Sequence, residues 1–220
     1  INRRDNIIPF CPNAPVIKTF LFLIEFFIYT FYRLILDYMK IKKCRSCNSI
    51  KLKPTFDMGI QKLTGIFPKT KIEKVPEGSL ALTFCENCNL LQLLNSFDPD
   101  VMYGENYGYM SSLNQSMVNH LKNKAEKIQR LIDLSADDTV LDIGSNDGTF
   151  LGFFPKKLKL IGVDPTIKQL KKYYRKDIMK ISDFFSAKKI MEKTNKKINV
   201  VSSISMFYDL EDPTSFAQQI

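Results

Sequence analysis

The sequence predicts an α/β chain: a parallel sheet of about four strands with crossover helices, preceded by a small module held together by cysteines. Three observations carry this. From Thr139 onward, short apolar runs alternate with helical ones, the pattern of strands joined by crossovers in a parallel sheet. The first of these runs leads into a glycine-bearing turn, Val140 to Thr149. Upstream, two Cys-x-x-Cys pairs are separated by 37 residues.

The 220 residues accommodate one ordinary domain and a small module, not two full-sized domains. With 45% apolar and 25% charged residues, the composition excludes wholesale disorder and fibrous classes. Lys+Arg 32 against Asp+Glu 23 gives a net charge of +9. That favours anionic partners, such as phosphorylated ligands, nucleic acid or anionic lipid, without choosing among them. A single histidine, His120, excludes a multi-histidine metal centre within this chain. The sequence starts on Ile1 and stops on Gln218-Gln219-Ile220 with no closing element, so a fragment of a longer protein is expected.

Residues 1–38 differ from the rest. Eight aromatics lie between Val16 and Tyr38, and fourteen residues separate Lys18 from Arg33, interrupted by Glu25. A fourteen-residue helix spans about 21 Å, short of the roughly 30 Å hydrocarbon core. No small-residue cleavage site follows the run, which argues against a signal peptide. Three readings stand: a helix lying on a membrane or protein surface, an anchor stretched by snorkelling Lys18 and Arg33, or a native start at Met39. Membrane contact through residues 16–38 is not the favoured reading, and a cytoplasmic location is expected.

Residues 39–96 form the cysteine module, with strands expected at Leu52–Met58 and Leu80–Phe84. Gly59, Gly65, Pro68, Pro76 and Gly78 are read as turns between the pairs. Residues 97–137 comprise a tyrosine-rich connector and a helix over Asn114–Leu134, where Val118, Leu121, Ala125, Ile128, Leu131 and Ile132 recur at helical spacing. Residues 138–220 carry the α/β pattern. Strands are expected at Val140–Ile143, Leu158–Val163, Ile178–Ile181 and Ile198–Ile204. Helices are expected after the glycine turn, over Ile167–Tyr174 and over Ala187–Lys193. The lysines near 168–176 and 188–197 read as solvated helix faces rather than a nucleic-acid patch.

Cys44-Arg45-Ser46-Cys47 and Cys85-Glu86-Asn87-Cys88 have metal-ligand spacing. Zinc favours four thiolates in a tetrahedron, and each Cys-x-x-Cys turn aims two sulfurs at one point. Four sulfurs leave no open position, so Cys44, Cys47, Cys85 and Cys88 are expected to hold a structural Zn²⁺. The pattern does not read as a secreted disulfide framework. Cys11 falls outside it.

The turn Gly144-Ser145-Asn146-Asp147-Gly148 follows an apolar strand containing Asp142. Glycines permit positive φ and close approach of backbone to a ligand. Asp164 ends the next strand, 22 residues after Asp142, where an acidic side chain can accept both hydroxyls of a ribose. A dinucleotide turn would read Gly-x-Gly-x-x-Gly. Here Asp142 and Asp147 would repel a pyrophosphate but can meet an amino-acid ammonium. That tilts the ligand from NAD towards S-adenosylmethionine.

An ordered run of motifs resembles the zinc-containing, S-adenosylmethionine-dependent sugar C-methyltransferases. Its parts are Cys44-Arg45-Ser46-Cys47; Asp57-Met58-Gly59-x-Gln61; Cys85-Glu86-Asn87-Cys88-x-Leu90-Leu91-Gln92-Leu93; and Tyr103-Gly104-Glu105-Asn106-Tyr107-Gly108-Tyr109. They continue with Ser116-Met117-x-x-His120; Ile143-Gly144-Ser145-Asn146-Asp147-Gly148; Gly162-Val163-Asp164-Pro165; and Met206-Phe207-Tyr208-Asp209-Leu210-Glu211-Asp212. The resemblance runs from about Cys44 to Glu211, roughly three quarters of the chain; residues 1–38 show no match.

The resemblance implies a partial Rossmann-like class I methyltransferase core behind a zinc-ribbon-like module. It implies methylation of carbon beside a ketone on a nucleotide-linked deoxysugar, and the net positive charge would suit a nucleotide diphosphate. It puts the general base in a Glu-His pair of the C-terminal half, beyond Ile220, so no turnover is expected of these residues alone. It sets His120 near the cofactor, as an accessory proton-transfer or hydrogen-bonding group; the alternative is a partly exposed helix residue. Tyr107 and Tyr109 line the pocket or pack the connector. In this fold Asp183 often sits beside the adenine amino group with Phe184 on the ring; the alternative is a helix cap. Against the enzyme stands a second reading, a zinc ribbon with a degenerate methyltransferase fold that binds nucleic acid or a protein. Intact acidic and glycine positions favour the enzyme, and the dispersed lysines argue against specific nucleic-acid recognition.

Overall fold

The computed structural model describes residues 40–63, 65, 68, 70, 73–104, 107–194 and 197–220. The three readings of residues 1–38, together with Cys11, Glu105 and Asn106, lie outside the described residues. Among the described residues no helix is long and apolar enough to cross a membrane.

The cysteine module is an antiparallel sheet of β1 (Leu52–Lys62), β2 (Glu77–Cys85) and β3 (Leu91–Leu93), in the order β1-β2-β3. Both expected strands run longer than their apolar cores suggest. Gly59 does not end β1: the register slips between Asp57 and Ile60, and Gly59 takes φ +71° while donating its N–H to the Asp57 carboxylate at 2.7 Å. A bulge of this kind absorbs a glycine without ending the strand. Gly78 is likewise inside β2, where a Cβ would stand 2.2 Å from the Phe97 ring. It serves close packing rather than a turn. β3 is too short to be read from its composition; it forms because Leu91–Leu93 pair with Leu82–Phe84.

The second sheet is parallel throughout. It comprises β4 (Thr139–Ile143), β5 (Lys159–Val163), β6 (Ile178–Ile181) and β7 (Val200–Ser203), in the order β6-β5-β4-β7. The expected α/β class is therefore the observed one, a four-stranded Rossmann-like sheet. Buried strand residues face helices on both sides, as parallel sheets require. One core joins Val140, Leu160 and Ile178 to Leu121 and Ala125 of α2 (Gln115–Leu131) and to Phe150 and Leu151 of α3 (Thr149–Gly152). The other joins Leu141, Ile143, Ile161 and Val163 to Ile190 of α5 (Ala187–Thr194) and Phe216 of α6 (Pro213–Gln218). Each such aliphatic side chain contributes about 1.5–3 kcal/mol on burial.

Two helices end earlier than the periodicity predicts. α2 starts on an Asn114 cap, whose Oδ1 accepts the Ser116 N–H at 2.9 Å, but stops at Leu131. Ile132 is extended, which delivers Leu134 into the core. α4 (Ile167–Leu170) stops short of Tyr174, because Tyr174 turns inward beneath the glycine turn. The connector contributes α1 (Pro99–Tyr103), capped by Asp98. Residues Ile41–Ile220 form one compact unit, in which Arg45 of the cysteine module meets Glu211 beyond β7.

Candidate functional site

The four cysteines converge. Their sulfurs all lie within 4.8 Å of one another, with Cys44–Cys88 and Cys47–Cys85 each 3.6 Å apart. A zinc–sulfur bond of about 2.3 Å gives a tetrahedron with edges of about 3.8 Å, so the observed spacing fits a zinc tetrathiolate. It is far too long for disulfides, whose sulfurs bond at about 2.05 Å.

The two knuckles repeat one geometry. Asn48 N–H returns to the Cys44 carbonyl at 3.0 Å, and Asn89 N–H to the Cys85 carbonyl at 2.9 Å. Both asparagines are left-handed, at φ +58° and +63°, a region that asparagine tolerates well. The signal stood in the sequence as Cys-x-x-Cys-Asn, twice over, and the motif reading passed over it. Gln92, also missed, donates its amide to Cys44 Sγ at 3.2 Å and accepts the Arg45 N–H at 3.1 Å. Burial raises the Cys44 thiol, but donors from Cys47, Ser46 and Gln92 outweigh it and draw it down to about 6. Cys88 moves the opposite way: Leu90 N–H favours its thiolate, yet burial and the neighbouring cysteines push it up to about 12. Four thiolates this close need a cation between them.

A cleft of about 1460 Å³ opens at the carboxyl ends of the parallel strands. β4 is followed by β5 on one side and flanked by β7 on the other. This is the reversal point where open α/β sheets bind ligands. Gly144 (φ +76°) and Ser145 turn the chain over Val163, both donating N–H to its carbonyl, at 2.8 and 3.2 Å. Asp164, at the tip of β5, accepts from Asn146 N–H at 2.9 Å and Thr166 N–H at 2.7 Å. Asp142 is 3% exposed and accepts the Ser202 hydroxyl at 2.7 Å. Burial is the main reason its carboxyl is pushed up to about 7, with the Asp164 charge adding. Asp183 and Phe184 reach the cleft after β6. Lys189 beside Asp183 holds that carboxyl below its ordinary range.

Residues 44–103 match the family described as "Putative zinc binding domain". The C-methyltransferase NovU of Streptomyces niveus is 32% identical over 87 residues, which is 39% of this chain and 20% of that protein. Joined to the four-sulfur cluster, these matches make the chain similar to the zinc-containing C-methyltransferases. It aligns with only a fifth of NovU.

The structure sorts the expected site residues. Asp142, Gly144, Ser145, Asn146, Asp164, Asp183 and Phe184 all line the cleft, and so do Tyr107 and Tyr109. Tyr103, Tyr107 and Tyr109 form an aromatic chain with ring centroids 5.6 and 6.3 Å apart. Asp147 and Gly148 stand behind the lining. The Asp147 carboxylate, 2% exposed, is taken up by Ser112 N–H at 2.8 Å and by Thr149 N–H at 3.1 Å and Oγ1 at 2.6 Å. It clasps the connector instead of facing an ammonium. Asn146 does both, lining the cleft while its side chain holds Tyr109 O and Ser111 N–H at 3.0 and 2.9 Å. His120 is exposed on α2, which reaches the cleft through Met117 and Leu121 instead. The accessory role expected of His120 therefore has no geometric support. The positive charge also lies elsewhere: among the described lining residues, Asp142, Asp164, Asp183, Asp209 and Glu211 face Arg45 as the one cation.

Proposed function

We propose that this chain forms the methyl-donor side of an S-adenosylmethionine-dependent, class I C-methyltransferase. The observation that carries the reading is the acidic cleft at the carboxyl ends of β4 and β5, bounded by the Gly144 turn and Asp164. S-adenosylmethionine would supply an electrophilic methyl on a sulfonium. That ligand is cationic at both sulfur and ammonium, and the acidic walls favour it over a pyrophosphate cofactor. In this reading Asp164 accepts from the ribose hydroxyls, Asp142 and the Gly144–Asn146 backbone meet the amino-acid end, and Asp183 with Phe184 borders the adenine. The fit is supported by Gly144, where a Cβ would crowd Met206 at 3.1 Å on the cleft wall. The zinc centre is structural in this reading and holds the cleft's far wall through Arg45 and Gln92.

The acceptor is proposed to be a carbon beside a ketone on a nucleotide-linked deoxysugar. The C-methyltransferase relative and the motif resemblance support this. The work asked of the residues here is positioning and exclusion of water, with Tyr107 and Tyr109 on the acceptor side of the cleft. Calorimetry of the 220-residue chain with S-adenosylmethionine tests the donor reading: saturable binding at one site, competed by S-adenosylhomocysteine, is expected. Tight NAD binding in its place would overturn it.

A further inference from the structure

Tyr174 is 6% exposed and does not line the cleft, yet it touches the centre of the glycine turn. Its hydroxyl stands 2.8 Å from the Asn146 carbonyl and 2.8 Å from Ser145 Oγ. A phenol has one proton and a carbonyl can only accept. Tyr174 therefore donates to Asn146 and accepts from Ser145. Its ring fills the space under two glycines: a Cβ on Gly148 would lie 2.6 Å from Cδ1, and one on Gly162 2.9 Å from Cε1. Asn146, held at φ +50°, then donates its N–H to Asp164. Asp164 is also held by Thr166, through its N–H at 2.7 Å and its Oγ1 at 2.5 Å, so a change at the phenol falls on the Ser145–Asn146 turn and not on the carboxylate.

We propose that Tyr174 is a positioning residue for the amino-acid end of the methyl donor, setting the Ser145–Asn146 backbone from behind. The inference rests on the donor reading given above. Removing the hydroxyl while keeping the ring leaves the Asn146 carbonyl and Ser145 hydroxyl buried without their partner, and the turn relaxes at the end that meets the amino-acid tail.

The test uses the 220-residue chain and two probes: S-adenosylmethionine, and 5′-methylthioadenosine, which keeps adenine and ribose but lacks the tail. In Tyr174→Phe, affinity for S-adenosylmethionine should fall roughly tenfold, while affinity for 5′-methylthioadenosine changes by no more than about twofold. Gly162→Ala, whose Cβ would press on Ser145 Oγ at 2.8 Å and on the same ring at 2.9 Å from outside the cleft, should give the same selective loss. A general loosening of the fold would weaken both probes alike, so an equal loss overturns the inference, as does unchanged binding of both. Hydrogen exchange on the unmutated chain needs no variant: S-adenosylmethionine should slow exchange at Asn146 and Gly148 more than 5′-methylthioadenosine does. Equal protection by both overturns the inference. Failure of the unmutated chain to bind either probe removes the donor reading itself, and this inference with it.

Discussion

Arg45, inside the first Cys-x-x-Cys turn, reaches Glu211 beyond β7, with Nε 3.0 Å from the carboxylate. The same guanidinium donates to Leu93 O at 2.6 Å, Asn95 O at 3.2 Å and Ser96 Oγ at 3.1 Å. One side chain therefore joins the metal knuckle, β3 and the turn that follows the parallel sheet. The Arg45 side chain is 12% exposed and the Glu211 side chain 59%. The ion pair is screened on one side, and such pairs contribute about 0–1 kcal/mol.

Removing the two partners should therefore have unequal effects. Arg45→Ala leaves two carbonyls and a hydroxyl without their donor, costing roughly 1–3 kcal/mol. Glu211→Ala should cost less than about 1 kcal/mol. Urea denaturation of both variants measures the difference. Equal losses would show that the ion pair, not the carbonyl contacts, carries the contribution of Arg45.

The four cysteines should hold one zinc per chain. Cys47→Ser or Cys88→Ser should release the metal and loosen β1–β3, because a structural site's binding energy is folding energy. Metal analysis with hydrogen exchange over residues 40–96 checks this. Full metal occupancy in the double Cys44/Cys47 serine variant would contradict the assignment.

Asp164→Ala should weaken S-adenosylmethionine binding by roughly 1.5–3 kcal/mol, as for hydrogen bonds to a charged group. The side chain also carries Asn146 and Thr166, so thermal denaturation of the ligand-free variant is the control for folding. Titration calorimetry reads the affinity. Wild-type affinity in Asp164→Ala would reject the ribose role.

Asp142 makes stability depend on pH in a defined direction. Burial lifts its folded pKa from 3.8 to about 7, so the folded state favours the protonated form. Its contribution is fully present below about pH 4 and is lost as pH rises through about 7. Asp142→Asn keeps an acceptor for Ser202 and removes the titration. The variant should match the wild type near pH 4 and exceed it at pH 8 by on the order of 4 kcal/mol. Denaturation curves across that range decide it; a gap that does not change with pH would assign the effect to packing.

Local chemistry in the sequence specifies the four-cysteine ligand set and the order of the parallel strands. Cysteine spacing announces a tetrathiolate because the chemistry is local: each pair of sulfurs is set by one turn. β4 and β5 were legible because both their faces are buried, which leaves near-continuous apolar runs at Val140–Ile143, broken only by Asp142, and at Leu160–Val163. Asp164 and the Gly144 turn were legible for the same reason, since they sit where those runs end.

Which of these residues face the cleft is set by packing. Asp147 and Asn146 are neighbours in one turn, yet the first is consumed by Ser112 and Thr149 while the second still lines the cavity. The early end of α4, the strut at Tyr174 and the Gly78 contact with Phe97 are likewise long-range. So is the placement of the cleft's acidic walls within a chain of net charge +9. Periodicity reports which face of an element is buried. It carries no record of which distant backbone donor or ring will meet a given side chain, because that depends on how the elements pack.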